Sequence, residues 1–243
     1  MENLCHEVNC IGAFSVSDDK QVAFSKGNLQ FTQSTNTWSF AEKQWDMIGE
    51  DNVGLDGALA DKIDLFGWST SATNFGVSTS ESNSDYSGSF VDWGTNKIGN
   101  DAPNAWRTLT DDEWEYLLYD RPNADDLCGV AEVNGVNGLI LLPDNWTCPA
   151  GVTFKSGFYD DFDHQTFSAE QWAKLEAAGA VFLPASGFRY GSSLIRVQDY
   201  GYFWSATEFS SNTVHHSYFN SQEASTGSNR RFCGYGVRLV KDL

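Results

Sequence analysis

Basic residues are scarce in this sequence. Its 243 residues include 15 Lys and Arg against 33 Asp and Glu, which gives a formal net charge of −18 at pH 7. Such an excess of negative charge repels phosphate backbones and anionic lipid head groups. We therefore expect neither a nucleic-acid partner nor direct membrane insertion. The carboxylates could instead supply oxygen ligands to a calcium ion.

Long hydrophobic runs are also missing. No stretch approaches the roughly 18 apolar residues that a membrane-spanning helix requires. The first ten residues, MENLCHEVNC, lack the apolar core of a signal peptide. We expect no signal peptide in this chain. We interpret residues 1–10 as an N-terminal extension and residues 11–243 as a single domain, because neither an internal repeat nor a flexible linker interrupts them.

Cysteine is present in an odd number and without the spacing of a metal site. The five cysteines are Cys5, Cys10, Cys128, Cys148 and Cys233. These positions do not define a disulfide framework, so the disulfide state stays open. At least one thiol must be free or paired outside the chain.

Aromatic residues are abundant. They make up 14% of a chain that is 41% hydrophobic, which is enough for a substantial core. Many of them stand among Gly, Ser, Asn and Asp, a context that favours short strands and ordered loops over an all-helical fold. Eight tryptophans are expected in the core, namely Trp38, Trp45, Trp68, Trp93, Trp106, Trp114, Trp146 and Trp204.

The first half of the sequence predicts a β-hairpin followed by long loops. Residues 22–40 alternate between apolar and polar in pieces, interrupted by Gly27 and by the polar cluster at 34–37. Residues 48–99 have little periodicity but much Gly, Ser, Thr, Asn and Asp. We expect these loops to be held in place by five aromatic residues, Trp68, Phe75, Tyr86, Phe90 and Trp93.

A first helix is predicted over residues 111–119. Thr110 and Glu113 form the pattern of a capping box, in which each side chain accepts from the other residue's backbone N–H. Apolar residues follow at helical spacing, and Pro122 ends the helix.

A second helix is predicted over residues 169–178. Ser168 and Gln171 repeat the capping-box pattern, and Gly179 is a suitable C-terminal residue. Before this helix, the continuous apolar run GLILLP at 138–143 indicates a buried strand.

The last third predicts three strands. They cover residues 201–209, 215–220 and 234–240, with a polar loop between the second and the third. Strands at both ends of the chain and two main helices between them indicate an α+β fold with short antiparallel sheets.

Several phrases resemble a family of large C-type-lectin-like domains from gut Bacteroidetes. They are FSKGNLQF, IDLFGW, AWRTLTDDEWEYLL, GLILLPDNWTCP, FLPASGFR and GYFWSATEFSSN. The resemblance extends from residue 24 to residue 240, nearly the whole chain. The resemblance implies a C-type-lectin-like fold of the subclass that includes formylglycine-generating enzymes.

Within this family the chain is most similar to the variable proteins of diversity-generating retroelements, whose C-terminal segment is rewritten by an error-prone reverse transcriptase. In those proteins the segment lies between a GYxWSxT-like strand and a G-x-x-VR-L strand, matched here by residues 201–207 and 234–239. The resemblance implies a variable binding region at about residues 199–238. Adenine mutagenesis of AAC or AAT codons cannot produce Gln or Glu, so Gln222 and Glu223 would be fixed positions.

The chemistry of this region favours a binding face. Aromatic, histidine and arginine side chains bring large contact area and varied hydrogen bonding at modest entropy cost. The predicted ligand-binding residues are Phe209, Thr213, Val214, His216, Tyr218, Asn220, Ser228, Arg230, Arg231, Phe232 and Tyr235. The alternative is a set of solvated strand faces with a basic patch that balances an acidic protein.

These observations predict a receptor or adhesion protein that presents a diversified surface to a protein or surface ligand, without catalytic residues. Its expected location is extracellular, on the cell surface or on a phage particle. A non-diversified surface or fimbrial component would share the same architecture. A formylglycine-generating oxidoreductase would need two C-terminal cysteines to hold copper, and only Cys233 lies in that region.

No cofactor is expected, and calcium is the one metal with a candidate site. Asp160, Asp161 and Asp163 could provide two or three carboxylates, but the closing Glu of a known calcium loop is missing. The alternative is a solvated acidic loop. Adjacent strand residues point to opposite faces, so His215 and His216 are not expected to bind one metal together.

Overall fold

A computed structural model describes residues 10–243 as an α+β fold. Its α-helices are α1 (Asp111–Glu115), which continues as a π-helical turn at Tyr116–Asp120, and α2 (Ala169–Ala177). Its strands are β1 (Cys10–Ser17), β2 (Lys20–Ser25), β3 (Leu29–Thr32), β4 (Thr37–Phe40), β5 (Lys62–Ile63), β6 (Cys128–Val133), β7 (Val136–Leu141), β8 (Thr166–Phe167), β9 (Val181–Pro184), β10 (Phe188–Tyr190), β11 (Ser193–Ile195), β12 (Gly201–Glu208), β13 (Thr213–Phe219), β14 (Ala224–Arg230) and β15 (Val240–Asp242). The predicted extension at 1–10 lies outside the described residues, apart from Cys10.

The strands of residues 10–243 form five small sheets. Their orders are β1-β2-β15, β4-β3-β5, β8-β6-β7-β9, β10-β11 and β12-β13-β14. Neighbouring strands are antiparallel, except that β8 runs parallel to β6. The prediction of an α+β fold with two helices and short antiparallel sheets is confirmed. The boundaries of the single domain stay a prediction, and none of the helices within the described span has the length and apolar character needed to cross a bilayer.

The first sheet joins the two ends of the described chain. β2 pairs with β1 on one side and with β15 on the other, where Val240 lies opposite Phe24. Phe14, Val22 and Phe24 are fully buried beneath this sheet. Because β2 belongs here, the hairpin predicted over 22–40 is divided: only β3 and β4 form it.

The aromatic loops predicted over residues 48–99 are confirmed. Four of the five aromatic residues are buried, namely Trp68, Phe75, Tyr86 and Trp93. The Trp93 indole N–H donates to the Phe75 carbonyl oxygen at 2.8 Å, and that of Trp68 donates to the Ser205 carbonyl oxygen at 3.0 Å. Indole hydrogen bonds therefore fix loops that have little backbone pairing of their own.

Most of the expected core tryptophans are buried. They are Trp38, Trp68, Trp93, Trp106, Trp114 and Trp204, each at most 8% exposed. Trp45 and Trp146 are half-buried and pack at the border of the hydrophobic cluster around α2. Large aromatic side chains thus fill much of the interior of a protein with few helices.

Both capping boxes are present. The Thr110 hydroxyl accepts from the Glu113 N–H at 3.3 Å, and the Glu113 carboxylate accepts from the Thr110 N–H at 2.9 Å. Ser168 and Gln171 reproduce this arrangement at α2. The first helix differs from the prediction in its second half, because it widens into a π-helical turn from Tyr116.

The second helix packs on the four-stranded sheet. The apolar run at 138–143 forms β7, which lies between β6 and β9 as a buried strand. Trp172 of α2 is fully buried, with its ring 5.6 Å from that of Phe182 in β9. Gly179 follows the helix at φ +96°, so the predicted helix end is confirmed.

The last third departs from the prediction. β12 and β13 match predicted strands, but residues 224–230, predicted as a loop, form β14. Its Ser, Thr, Gly and Asn residues lack the hydrophobic alternation by which strands are recognised. Residues 234–240, predicted as a strand, run beside β12 with isolated pairings such as Phe203 with Gly236, and the final strand is β15.

Candidate ligand-binding site

The candidate site is built on the sheet β12-β13-β14. Its register places Tyr202 opposite Tyr218 and Trp204 opposite His216. Successive side chains of a strand point to opposite sides of the sheet, so these four share one side and His215 faces the other. The predicted variable region therefore contributes to two surfaces.

Five of the eleven predicted ligand-binding residues are interior. They are Val214, His216, Arg231, Phe232 and Tyr235, each at most 5% exposed. The expectation that these side chains point outward is wrong, and they do not reach a ligand in this arrangement. The cause is strand alternation in β13 and the inward course of the chain after β14, which puts Val214 and Phe232 in the same hydrophobic cluster as Trp204.

Arg231 holds loops together. Its guanidinium donates to the carbonyl oxygens of Gly88 and Ser210, at 3.0 Å each, and to the Glu208 carboxylate. It also lies 4.7 Å from the centroid of the Trp68 ring. The side chain thus ties the loop that contains Gly88 to the connection between β12 and β13.

Tyr235 and His216 form an aromatic floor beneath the exposed part of the site. The Tyr235 ring centroid lies 5.0 Å from that of His216 and 4.9 Å from that of Tyr202. Its hydroxyl accepts from the Asn229 amide at 2.8 Å. Burial lowers the pKa of His216 to about 4, so its imidazole is neutral near pH 7.

Three predicted residues belong to the other side of the sheet or its edge. Thr213 lies on the same side of β13 as His215, which is the side away from His216, and Ser228 lies opposite His215 in β14. Phe209, which is 62% exposed, meets the His215 ring edge-on at 5.0 Å. The Nδ1 atom of His215 lies 2.7 Å from a carboxylate oxygen of Asp111 in α1. The sheet itself separates these residues from the aromatic floor.

Asn220 shapes a turn. Its side-chain oxygen accepts from the backbone N–H groups of Gln222 and Glu223, at 2.7 and 3.2 Å. This closes the connection between β13 and β14, so the predicted binding residue has a structural partner already.

Tyr218 belongs to a group of half-buried rings that we call the tyrosine face. Its members are Phe188, Tyr190, Tyr200, Tyr202 and Tyr218. Tyr202 is central: its ring centroid lies 5.2 Å from that of Phe188 and 5.7 Å from that of Tyr200. It lies 6.2 Å from that of Tyr218. Tyr190 joins the group over the buried ring of Phe232, 5.1 Å away.

Two arginines border the tyrosine face. The Arg196 guanidinium lies 4.9 Å from the centroid of Tyr200. Arg230, the predicted residue at the end of β14, is exposed and donates to the Tyr190 hydroxyl at 3.4 Å. Arg196 also pairs with the Asp199 carboxylate at 3.5 Å, whereas Arg230 forms no ion pair with the residues described.

The tyrosine face offers hydrogen-bonding groups as well as apolar area. The hydroxyls of Tyr200 and Tyr202 have no hydrogen-bond partner among residues 10–243. Burial raises the pKa of Tyr202 to about 12, so this hydroxyl keeps its proton and can donate. The Tyr218 hydroxyl is engaged with the Glu223 carboxylate at 3.3 Å.

Most of the tyrosine face was missed by the sequence analysis. Phe188, Tyr190 and Arg196 precede the predicted variable region, and Tyr200 and Tyr202 were not selected within it. Spacing could have indicated them: aromatic residues at 188 and 190, and again at 200 and 202, stand two positions apart, which places both members of each pair on one side of an extended chain.

The acidic loop borders a polar cavity of about 510 Å³. The side chains of Asp160, Asp161 and Asp163 are exposed. Within the described part of the chain, no three His, Cys, Asp or Glu side chains come together as metal ligands. The calcium prediction therefore gains no support from the geometry.

The cysteines whose side chains are described are unpaired. They are Cys128, Cys148 and Cys233. Burial raises the pKa of Cys128 and of Cys233 to about 11, so both thiols keep their protons near neutral pH. Cys5 lies outside the described residues.

Comparison of the chain with protein-family models, curated proteins and solved structures finds no match.

Proposed function

We propose that this chain is a ligand-binding protein of C-type-lectin-like fold that engages a protein ligand through the tyrosine face, without catalysis. The observation that supports this most is that four half-buried aromatic rings, Phe188, Tyr200, Tyr202 and Tyr218, are in contact on one surface. Tyrosine combines large contact area with few rotatable bonds and a hydroxyl for hydrogen bonds. Rings that already pack on one another lose little further freedom when a partner binds.

The surroundings of the tyrosine face also suit a protein partner. Interfaces are enriched in Tyr and Arg, and Arg196 and Arg230 stand at the border, where a partner's carboxylate or carbonyl groups could meet them. The rings rest on the floor of Tyr235 and His216, which is buried and hydrogen-bonded to β14. A supported platform of this kind keeps the binding geometry fixed before the ligand arrives.

A second part of the proposal is that this surface is diversified. The variable positions would be only the exposed residues within 199–238. Side chains such as Tyr218 and Arg230 could be exchanged with little effect on folding, whereas Arg231 and Phe232 could not. The gene tests this part. A near-identical template copy beside a reverse-transcriptase gene, with adenines at the codons of exposed positions, supports it; without that copy, the protein would be a non-diversified surface or adhesion component. Both alternatives place the protein outside the cell.

The binding function is tested by two matched double substitutions. Tyr200→Ala with Tyr218→Ala removes two rings of the tyrosine face. Tyr116→Ala with Tyr159→Ala removes two tyrosines elsewhere, of which Tyr116 is half-buried and Tyr159 is 39% exposed. A partner is first identified by screening the wild-type protein against purified extracellular proteins, and affinities are then measured by surface plasmon resonance.

We expect the first pair to weaken binding by about 30-fold or more, as two hot-spot rings should, and the control pair by less than about twofold. The melting temperature of each variant shows whether the fold is intact. Equal affinities for both pairs, or a partner that binds only to the surface around Tyr116 and Tyr159, would contradict the proposal.

A further inference from the structure

A second cavity, of about 370 Å³, lies between the β3–β4 hairpin and the loops at 72–77 and 96–97. Its volume is in the range of small-molecule sites. None of the residues that line it belongs to the tyrosine face. It is therefore a separate feature, and the proposed function does not use it.

Aromatic side chains form the floor of this cavity. Phe31 and Trp38 lie opposite each other in the hairpin, with ring centroids 4.5 Å apart. Phe75 packs edge-on against Trp38 at 5.6 Å. Each of the three is buried but keeps an exposed fraction of 8–9%, so their edges give the cavity a rigid apolar base.

The indole N–H of Trp38 has no hydrogen-bond partner among the described residues. Four other tryptophans donate to protein oxygens at 2.6–3.0 Å, namely Trp68, Trp93, Trp106 and Trp204. Trp114 and Trp172 also lack a partner, but they line neither cavity. The N–H groups of Trp114 and Trp172 are buried, whereas that of Trp38 is not, so an acceptor atom of a ligand in the cavity could bond with it.

The rim of the cavity provides both donors and an acceptor. Asn74 uses its side-chain oxygen on the Gly76 N–H at 3.2 Å, which leaves its amide nitrogen free to donate. Asn96 uses its nitrogen on the Trp93 carbonyl oxygen at 3.0 Å, which leaves its oxygen free to accept. A ligand with hydroxyl groups, which donate and accept, matches this combination.

Lys97 is the one charged residue in the lining, which includes no carboxylate. It forms no ion pair with the residues described here. In a protein with a net charge of −18, a cavity with an unopposed cation favours a ligand that carries a negative charge.

The wall of the cavity is held in a strained conformation. Phe75 has φ +49°, a value that bulky residues rarely adopt, and Gly76 follows at φ +79°. A Cβ atom on Gly76 would lie 1.8 Å from the Gly67 carbonyl oxygen, so only glycine fits there. Strain of this kind persists where the surroundings fix it, often at binding sites. The wall is therefore formed before any ligand binds.

From these features we infer that the cavity binds a monosaccharide that carries a carboxylate, of the hexuronic acid type. The C–H face of the sugar ring packs on the aromatic floor, and its hydroxyls bond with Asn74, Asn96 and the Trp38 indole N–H. The carboxylate pairs with Lys97. No metal takes part in this recognition.

The test is an NMR titration of the ¹⁵N-labelled protein with glucuronate, glucose and benzoate. Glucuronate is expected to shift the Trp38 indole signal and to leave those of Trp114 and Trp172 in place. Lys97→Gln should weaken glucuronate binding on the order of tenfold, because a charge-assisted contact is lost, and should leave glucose binding unchanged. Lys43→Gln, at an exposed lysine outside the cavity, is the matched control.

Three results would overturn the inference. They are the absence of any Trp38 shift at millimolar sugar, a glucuronate affinity that Lys97→Gln and Lys43→Gln change equally, and a benzoate affinity equal to that of glucuronate. Trp38→Phe keeps a ring but removes the N–H, and it should weaken both sugars. The Tyr200→Ala and Tyr218→Ala double variant should bind glucuronate normally, so failure of this inference and failure of the proposed function are distinguishable.

Discussion

Replacing Arg231 by alanine should destabilise this protein strongly, whereas replacing its neighbour Arg230 should not. The Arg231 guanidinium is buried and serves the carbonyl oxygens of Gly88 and Ser210, the Glu208 carboxylate and the Trp68 ring. Without it, the two carbonyls lose their donor and the two loops lose their link.

The expected magnitude follows from these contacts. Removing one partner of a buried ion pair costs about 3–5 kcal/mol. The side chain of Glu208 is 47% exposed, so water recovers part of its solvation, and we expect a loss of about 3 kcal/mol. At roughly 2–4 °C per kcal/mol for a protein of this size, the melting temperature should fall by about 6–12 °C.

Arg230→Ala is the matched control. This side chain is exposed, and its hydrogen bond to Tyr190 is long, at 3.4 Å. We expect a change within about 0.5 kcal/mol, together with weaker ligand binding. Urea unfolding followed by tryptophan fluorescence, with calorimetric melting, measures both variants. If Arg231→Ala cost less than about 1 kcal/mol, or if both variants lost equal stability, the assignment of Arg231 to the interior would be refuted.

Three further predictions concern stability. Burial lowers the pKa of His216 to about 4, so between about pH 6.5 and pH 4 the unfolded chain takes up a proton at this residue and the folded protein does not. The free energy of unfolding should therefore fall by about 3 kcal/mol as the pH falls through this window. His216→Gln should flatten this pH dependence in urea titrations, and parallel curves for the two proteins would contradict the burial of His216. Gly76→Ala should cost more than about 2 kcal/mol in the same assay, because the new Cβ meets the Gly67 carbonyl oxygen, while Gly135→Ala, at a similar φ but with open space, should cost only about 1 kcal/mol. Thr110→Ala should cost about 1 kcal/mol through the loss of the helix cap and Thr110→Ser much less, so equal melting temperatures for the two variants would exclude a capping contribution.

The features that could be predicted from the sequence are those set by near neighbours. The capping boxes at Thr110 and Ser168 depend on residues three positions apart, and both formed as expected. The apolar run of β7 and the tryptophan core depend on residue type alone, because large apolar groups leave water wherever the fold allows it.

The binding residues were harder to predict because their exposure depends on distant partners. Arg231 is interior since Gly88 and Ser210, far apart in the chain, both present carbonyl oxygens to it. β14 has no hydrophobic signal, and only its pairing with β13 makes it a strand. Tyr190 enters the tyrosine face from a separate hairpin, β10-β11, that the sequence does not connect with the last third.

Because β15 follows the predicted variable region, a frame-shifted gene would produce a chain that cannot complete the sheet of β2. This strand follows the tyrosine face along the chain and completes the sheet of β2, where Val240 lies opposite Phe24. A shifted reading frame anywhere between residues 199 and 238 would remove Val240 and leave one edge of β2 unpaired, with its apolar side chains uncovered. Such chains would aggregate or be degraded before they could be displayed. Folding would then act as a check on the reading frame of the proposed binding segment, while the exposed side chains within that segment remained free to change.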